Sequence, residues 1–444
     1  MLDKVLKKAK ELGFDDLQIS VTSSEELELG IFKGEVVKNF LGNSKSYILK
    51  GIIDGKSSTM IIEKNHGEFN DNDTNKALNK LKEDILSVTA PFVNNIFGGS
   101  KEYPVIKEKE YDLDKYSSLD KINLLKEIET KCFAYDPRIE LVPDLEYSET
   151  VSSLEIVNTK GLNLKKTNKY GVVVVGVTAA KSKDDPQKQM HYDVTVKTIF
   201  KEFNADEIVK NVCDEVLAQI GGYPCESKVY PVLMDKEAMR SLLAGFFSMF
   251  TGESALRGLT ALKDELGKKV VNEKINIIDD PLNENSIQQD AFDGEGVATA
   301  RKEVIKDGVF KMFLHNLKTA KAFNVEPTGN ATLGGGIGPQ NFHLANGDTD
   351  VNDAIKSMKE GVIIKGLQGL HAGLNPISGD FSAQSRGFLV KDGKIERPVT
   401  LIVVSGNFLK MLNDVECVCN DLEFSYNGFG APSVLFKGLP ISGK

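Results

Sequence analysis

The sequence has little of what several functional classes require. No run approaches the ~20 apolar residues needed to cross a bilayer, so no membrane partner is expected. Basic residues are outnumbered, 55 Lys and Arg against 64 Asp and Glu, for a net charge of −9. No face is obviously basic, which argues against nucleic acid as a partner. Lys4, Lys7, Lys8 and Lys10 read as the solvated side of a short helix. The N-terminus alternates charged and apolar residues at helical spacing and lacks the pattern of a secretory signal. There are five cysteines, an odd and scattered set, which points to reduced thiols in a cytoplasmic protein. Cys132, Cys213 and Cys225 read as buried or half-buried singles. Residues 239–258, MRSLLAGFFSMFTGESALRG, have the look of a buried helix, a glycine break and a second helix, yet carry no His, no Cys and one acid, Glu253.

What is present is an ordinary globular balance, 41% hydrophobic and 27% charged. The length of 444 residues suggests about two or three domains. The first unit, residues 1–90, opens with a helix over 2–12. Short strands are predicted at 16–22, 26–33, 35–41, 46–53 and 57–63, with Asp54-Gly55 as a hairpin turn, then a helix over 75–88. A stretch rich in Asn, Gly and Pro reads as linker. The second unit, 105–222, repeats this order: helix 119–133, strands 139–150, 153–159, 163–178 and 189–200, helix 205–220. This is a weak tandem repeat of architecture. The third unit, 226–444, is larger and strand-rich, with helices at 237–249, 253–266, 316–323 and 350–359. Asp307-Gly308 and Asp392-Gly393 are further hairpin turns, and Ser405 is the expected cap of a short helix at 408–412. Helices mixed with hairpins, without a βαβ alternation, indicate the α+β class.

Candidate chemistry is sparse. Asp293-Gly294-Glu295-Gly296 places two carboxylates in a tight turn. Calcium loops are longer and more widely spaced, so side-chain-to-backbone hydrogen bonds are the expected role, with Arg301 pairing to Asp293 or Glu295. Glycines at 334, 335, 336 and 338 lack the Lys-Ser/Thr that follows a phosphate loop. Cys417 and Cys419 share one face of a predicted strand and offer two thiolates to a soft metal, but no His or second Cys pair lies near in sequence, and a structural role is expected. His315, His343 and His371 are spread over the third unit, where an independent Cys/His hydrolase is the remote alternative. His66 and His191 read as surface residues of the first two units.

Five blocks carry a resemblance: IIDDP (277–281), FDGEGVATARKEVIKDGVF (292–310), NLKTAKAFNVEPTGNA (316–331), SGDFSAQSRGFLVKDGKIERPV (378–399) and SGNFLKMLNDV (405–415). In order and spacing they resemble the TldD/PmbA family, which pairs a zinc-peptidase subunit, TldD, with a sister subunit, TldE or PmbA. The resemblance extends over nearly the whole chain. TldD-type subunits carry His-Glu-x-x-x-His just before a Gly-acid step. With that step on Gly252-Glu253, the six positions fall on Leu243, Ala244, Gly245, Phe246, Phe247 and Ser248.

None of these residues can do zinc chemistry. A catalytic zinc takes about three N, S or O ligands and keeps an open position for water, whose proton a carboxylate then accepts. Leu243 has no lone pair, Ala244 cannot act as a base, and Ser248 offers only a neutral hydroxyl. Ligands five positions apart also lie about 140° apart on an ideal helix, so a real site needs a widened, π-like turn or a break. The TldD-side Cys ligand lies in the segment read here as 426–433, which has no Cys.

The resemblance therefore implies a TldE/PmbA-like, non-catalytic subunit of a zinc metallopeptidase acting on unfolded or extended peptides. Zinc is expected in a TldD-like partner and no cofactor in this chain. A heterodimer is implied, or a homodimer when the chain is isolated. The family is associated with maturing a peptide antibiotic precursor, with degrading an antitoxin, and with the early label of DNA gyrase modulator. A stand-alone peptide-binding or regulatory protein, taking an extended peptide by strand addition, is the alternative.

Overall fold

The computed structural model describes residues 2–64, 70–89 and 95–444, so His66 lies outside the described residues. The first half runs α1 (Leu2–Glu11), β1 (Asp16–Phe32), β2 (Glu35–Ile53), β3 (Lys56–Glu63), α2 (Asp71–Ser87), α3 (Ser118–Tyr135), β4 (Ile139–Asn158), β5 (Asn163–Ala179), β6 (Gln189–Lys197) and α4 (Ala205–Ala218). All six strands join one antiparallel sheet in the order β3-β2-β1-β4-β5-β6. The first strands of the two units, β1 and β4, lie side by side at its centre, so the order is mirrored about their seam. The architectural repeat is thus a single sheet built from two helix–hairpin–helix halves.

Local chemistry sets these elements. Asn70 and Ser117 close capping boxes with Asp73 and Asp120 at the starts of α2 and α3. The Asp54-Gly55 turn has positive φ at both residues, 47° and 71°, as a tight hairpin needs. One face of the sheet is covered by the helices: α1 and α2 pack on Leu17, Ile19 and Leu49, and α3 and α4 on Tyr147, Val173 and Val175. The other face meets the C-terminal domain through Leu154, Ile156, Leu162 and Phe292.

Strand lengths differ from expectation. The predicted breaks at 23–25 and 42–45 do not occur, and β1 and β2 are long unbroken strands. The polar runs simply face each other: Ser24 pairs with Ser44, Glu25 with Asn43 and Glu26 with Gly42. Backbone pairing on both sides keeps β1 extended where side-chain patterning alone suggests a loop. The break expected in β4 is likewise absent, because Ser152 and Ser153 pair with Asn168 and Thr167.

The C-terminal domain contains β7 (Lys228–Met234), α5 (Lys236–Phe246), α6 (Gly252–Arg257), β8 (Ile277–Asp279), β9 (Lys302–Lys306), β10 (Val309–Phe310), α7 (Leu317–Phe323), β11 (Phe342–Leu344), α8 (Val351–Ser357), β12 (Glu360–Gln368), α9 (Leu370–Gly373), β13 (Leu374–Asn375), β14 (Asp380–Lys391), β15 (Lys394–Asn407), α10 (Phe408–Asn413), β16 (Val415–Val418), β17 (Glu423–Phe424), β18 (Phe429–Ala431) and β19 (Val434–Ser442). One sheet runs β10-β9-β8-β11-β18-β17. In the other, β12 pairs with both β7 and β14, so β12, β7, β19, β15 and β14 close into a ring. Closure needs Gly387, where a Cβ would sit 1.7 Å from the Ile363 carbonyl oxygen. The period of two is clear here. Val232, Met234, Val362, Ile364, Val434 and Phe436 enter the main core, while Leu233, Ile363 and Leu435 enter a smaller one under α8.

Two local expectations fail. The helix predicted over 253–266 stops at Arg257, because Gly258 takes the left-handed conformation (φ 69°) and its N–H closes on Ala255 and Ser254. The cap of α10 is Asn407, whose side chain accepts from the Lys410 N–H at 3.2 Å, while Ser405 stays in β15 opposite Ser382. No helix among the described residues is long and apolar enough to cross a membrane.

Candidate functional site

The six positions singled out by the resemblance, Leu243 to Ser248, straddle the end of α5. Asp235 caps this helix by accepting the Glu237 N–H at 3.2 Å. Ala238, Met239, Leu242, Leu243 and Phe246 recur at helical spacing and are buried. Arg240, Ser241 and Ala244 fall on the opposite face and line a cleft of about 590 Å³. At Phe247 the α-helix tightens into a 3₁₀ turn, Phe247–Phe250. Ser248 stands on that turn, exposed. The six positions therefore do not converge: Leu243 points into the core with 0% exposure, Ala244 opens on the cleft, and Ser248 points outward. The following Gly252 is pinned, since a Cβ there would meet the His315 ring at 2.3 Å.

The rest of the cleft comes from distant segments: Val194 and Val196 of β6, Glu423 and Phe424 of β17, the turn Ser425, Tyr426 and Asn427 with Phe429, and Lys109, Asn285 and Ile287. The 426–433 segment thus does reach the same cleft as Ala244. β6 and β17 are each the terminal strand of a sheet. The charges are mostly engaged. Glu423 pairs with Lys236 and, at 3.6 Å, with Arg240. Lys109 donates to the carbonyls of Glu284 and Ser286, and burial pushes its ammonium pKa down. Sequence reasoning missed this cleft because its walls lie in five separate stretches of chain.

A half-buried ionic cluster ties the domains. Lys365 reaches Asp235 and Glu215, both at 3.0 Å. Arg386 donates to the Met190 carbonyl at 2.6 Å and sits 2.8 Å from His191 Nδ1. His191 is therefore buried, not on the surface as expected. The reason is that β6, although terminal in its sheet, is covered by the C-terminal domain at this point.

The other sequence candidates are held by protein partners. Asp293 Oδ1 accepts the N–H groups of Glu295 and Val297, and Oδ2 that of Ala331, each at 2.9 Å. Burial raises Asp293 to about 6 against these bonds. Glu295 accepts the Leu317 N–H at 2.8 Å and lies 3.9 Å from Lys50 of β2. Arg301 pairs with neither; it points to Glu303 at 3.5 Å and Asp280 at 3.9 Å, because Asp293 is already closed by backbone donors. The 334–338 loop folds on Thr332, whose Oγ1 accepts the Gly336 N–H, and the 332–333 segment borders a groove with Thr22, Ser23, Ser44 and Ser153. His315 bonds Thr319 and His343 the Asn341 carbonyl, while His371 is exposed. Among the described residues no three His, Cys, Asp or Glu side chains form a group suited to a metal.

Two of the three buried histidines, His191 and His315, make a pH prediction. Burial, with the Arg386 guanidinium adjacent, pulls His191 down to about 4, and burial alone takes His315 to about 4. Both are neutral when folded. As pH falls below about 6.5, the unfolded chain takes up these protons first, so their contribution to stability is lost between about pH 6.5 and 4. Asp293, raised in the fold, works with the opposite sign below about pH 6. NMR titration of the imidazole rings separates these terms: His191 and His315 should show midpoints near 4, and a midpoint near 6.5 for either removes it from the account.

Comparison with known proteins gives a consistent result. The sequence matches the PmbA/TldA metallopeptidase C-terminal domain over residues 227–443 and the PmbA/TldA metallopeptidase central domain over residues 111–220. It is 27% identical to the metalloprotease PmbA of Escherichia coli O157:H7 over 326 residues, 70% of each chain. It is 23% identical to a zinc metalloprotease TldD homolog of Saccharolobus solfataricus over 99% of each chain. A Thermotoga maritima structure described as a modulator of DNA gyrase superposes with a TM-score of 0.90 and 31% identity over 99% of both chains. TldE from Thermococcus kodakarensis shares the fold, with a TM-score of 0.88 and 21% identity over 100% of both.

Proposed function

The chain belongs to the PmbA/TldD metallopeptidase family, and from that premise we propose that it is the TldE/PmbA-like subunit, which leaves zinc chemistry to a TldD-like partner. One observation carries this reading. Where the partner type needs His, Glu and His, this chain has a core leucine, a cleft-lining alanine and an outward serine at 243, 244 and 248. These residues do not fit a zinc ion, which takes about three N, S or O donors. The cleft carboxylate, Glu423, is engaged by Lys236 and Arg240.

The role left to this chain is to enclose an extended peptide beside the partner's metal. The terminal strands β6 and β17 support this, because both border the cleft and an extended peptide adds to sheet edges through main-chain hydrogen bonds. The same edges favour a second reading, a stand-alone peptide-binding protein.

The decisive experiment uses the purified chain with and without a TldD-like subunit. Alone it should hold no stoichiometric zinc and leave a disordered peptide intact. The pair should cleave it, and a chelator should stop the cleavage. Robust cleavage by the isolated chain would overturn the reading; peptide binding without turnover, unchanged by any TldD-like chain, would select the second.

A further inference from the structure

Cys417 and Cys419 lie at the end of β16. Val415 pairs with Phe436 of β19, and Cys417 with Leu435, so the register shifts by a bulge at Glu416. Beyond it, Cys419 bridges to Thr349, donates its N–H to the Ser433 carbonyl and accepts the Gly347 N–H, both at 2.9 Å. Both cysteine side chains pack on the small core of Leu233, Ala354, Met358, Ile363 and Leu435, whereas Val418 between them enters the main core. The two sulfurs therefore share a face. A hydrogen bond joins the two thiols, and two residues of strand span about 6.4–6.8 Å between Cα atoms, at the upper end of the range a disulfide tolerates.

The two thiols are not equivalent. Cys419 is buried with 0% exposure, while Cys417 is half-exposed. Hydrogen bonds from Cys419 and Thr349, with Lys274 nearby, bring Cys417 down to about 6 despite partial burial and the Glu416 carboxylate. Cys419 is pushed well up by its bond to Cys417 and by burial, with Asp421 and Asp350 adding. An accessible thiolate beside a protonated thiol is the arrangement of a sensing and a resolving cysteine. A soft-metal site is the poorer fit, since no third His, Cys, Asp or Glu joins them in a metal-suited group among the described residues.

We propose that Cys417 and Cys419 are a peroxide-sensitive dithiol that closes reversibly to a disulfide. The Cys417 thiolate attacks one oxygen of a hydroperoxide, the O–O bond breaks, and hydroxide or alkoxide leaves; sulfur is oxidised to sulfenic acid as the peroxide is reduced. The Cys419 thiol then attacks the Cys417 sulfur, an S–S bond forms, and the sulfenic hydroxyl leaves with the thiol proton as water. The reduced pair is restored by a dithiol. The proposal stands apart from the subunit role, although the pair lies just ahead of the cleft wall: Asp421 holds Ser433 by its N–H and hydroxyl, both at 2.8 Å, and Glu423 follows.

The experiment treats the folded full chain with hydrogen peroxide at pH 7, alkylates remaining thiols with N-ethylmaleimide in denaturant, and digests without reductant. Residues 411–437 form one tryptic peptide carrying both cysteines and no other. It should appear two hydrogens lighter and unalkylated, and dithiothreitol should restore two alkylation sites. In the native protein, Cys417 should alkylate about tenfold faster than Cys225. In Cys419→Ser, dimedone should trap Cys417 as the sulfenic acid, with unchanged far-UV circular dichroism. Two alkylated thiols after peroxide, or a Cys417 sulfinic acid beside an alkylated Cys419 in the unmodified sequence, overturns the proposal.

Discussion

Asp279→Ala should cost the C-terminal domain about 3–5 kcal/mol, because it strands a buried lysine. Asp279 ends β8 with 0% side-chain exposure, and Lys302 of β9 has 7%. The Lys302 Nζ lies 2.8 Å from Asp279 Oδ2, which also accepts from Asn330 Nδ2 at 2.8 Å, while Oδ1 accepts the Gln340 N–H at 2.6 Å. One carboxylate thus organises β8, β9 and the loop leading into β11. Alanine leaves an ammonium with only the Thr328 carbonyl, 3.0 Å away, and removes one acceptor each from the half-buried Gln340 N–H and the buried Asn330 amide, which keeps the Gly338 carbonyl at 3.0 Å, each of which adds to the loss. The pair itself need not be strongly stabilising, since its desolvation offsets much of its attraction. A double variant, Asp279→Leu with Lys302→Met, should therefore be more stable than Asp279→Ala alone. Guanidinium unfolding followed by circular dichroism gives the order, and hydrogen exchange over β8 places the loss. If the double variant is the weaker of the two, the buried charge is not the source of the cost.

That pair also shows where the sequence is legible and where it is not. The α+β class and the three Asp-Gly hairpins follow from residues close together in the chain, so local chemistry is enough to find them, whereas the capping boxes at Asn70 and Ser117 start their helices earlier than the expected 75 and 119. The block IIDDP stands out in the sequence, but nothing local tells Asp279, buried and paired, from Asp280 beside it. Asp279 is decided by Lys302, Asn330 and Gln340, which the topology delivers. The same holds for Arg301, whose expected partner Asp293 is already filled by three backbone N–H groups, and for His191, buried by an arginine nearly two hundred residues away in the chain. The long strands β1 and β4 were hidden for a related reason. Serine-rich runs look like loops until a partner strand is known to lie on each side. The cleft is the extreme case, since Lys109, Val194, Arg240 and Glu423 meet only after both domains are assembled.

The proposed motif positions 243, 244 and 248 pose a sharper question: whether three side chains or the packing keep zinc from this helix end. The geometry favours packing. Five steps along an α-helix rotate a side chain by about 140°. Here the last steps fall on the 3₁₀ turn Phe247–Phe250, which advances about 120° per residue and carries position 248 further from position 243. A π-like widening, which would bring the two together, is the opposite distortion. Position 243 is moreover inside the core beside Met239, Leu242 and Phe246. The triple variant Leu243→His, Ala244→Glu, Ser248→His is therefore expected to lose about 3–5 kcal/mol, nearly all of it from burying an imidazole where Leu243 packs, and to take up no stoichiometric zinc. Ala244→Glu alone should be tolerated to within about 1 kcal/mol, because it opens on the cleft one turn from Arg240. Thermal unfolding and metal analysis after dialysis against zinc distinguish the outcomes. Stoichiometric zinc in the triple variant would mean that the helix end can be rewound by its ligands, and that side chains alone keep zinc out of it. Loss of stability without metal would mean that the core around Leu243 has closed over the site.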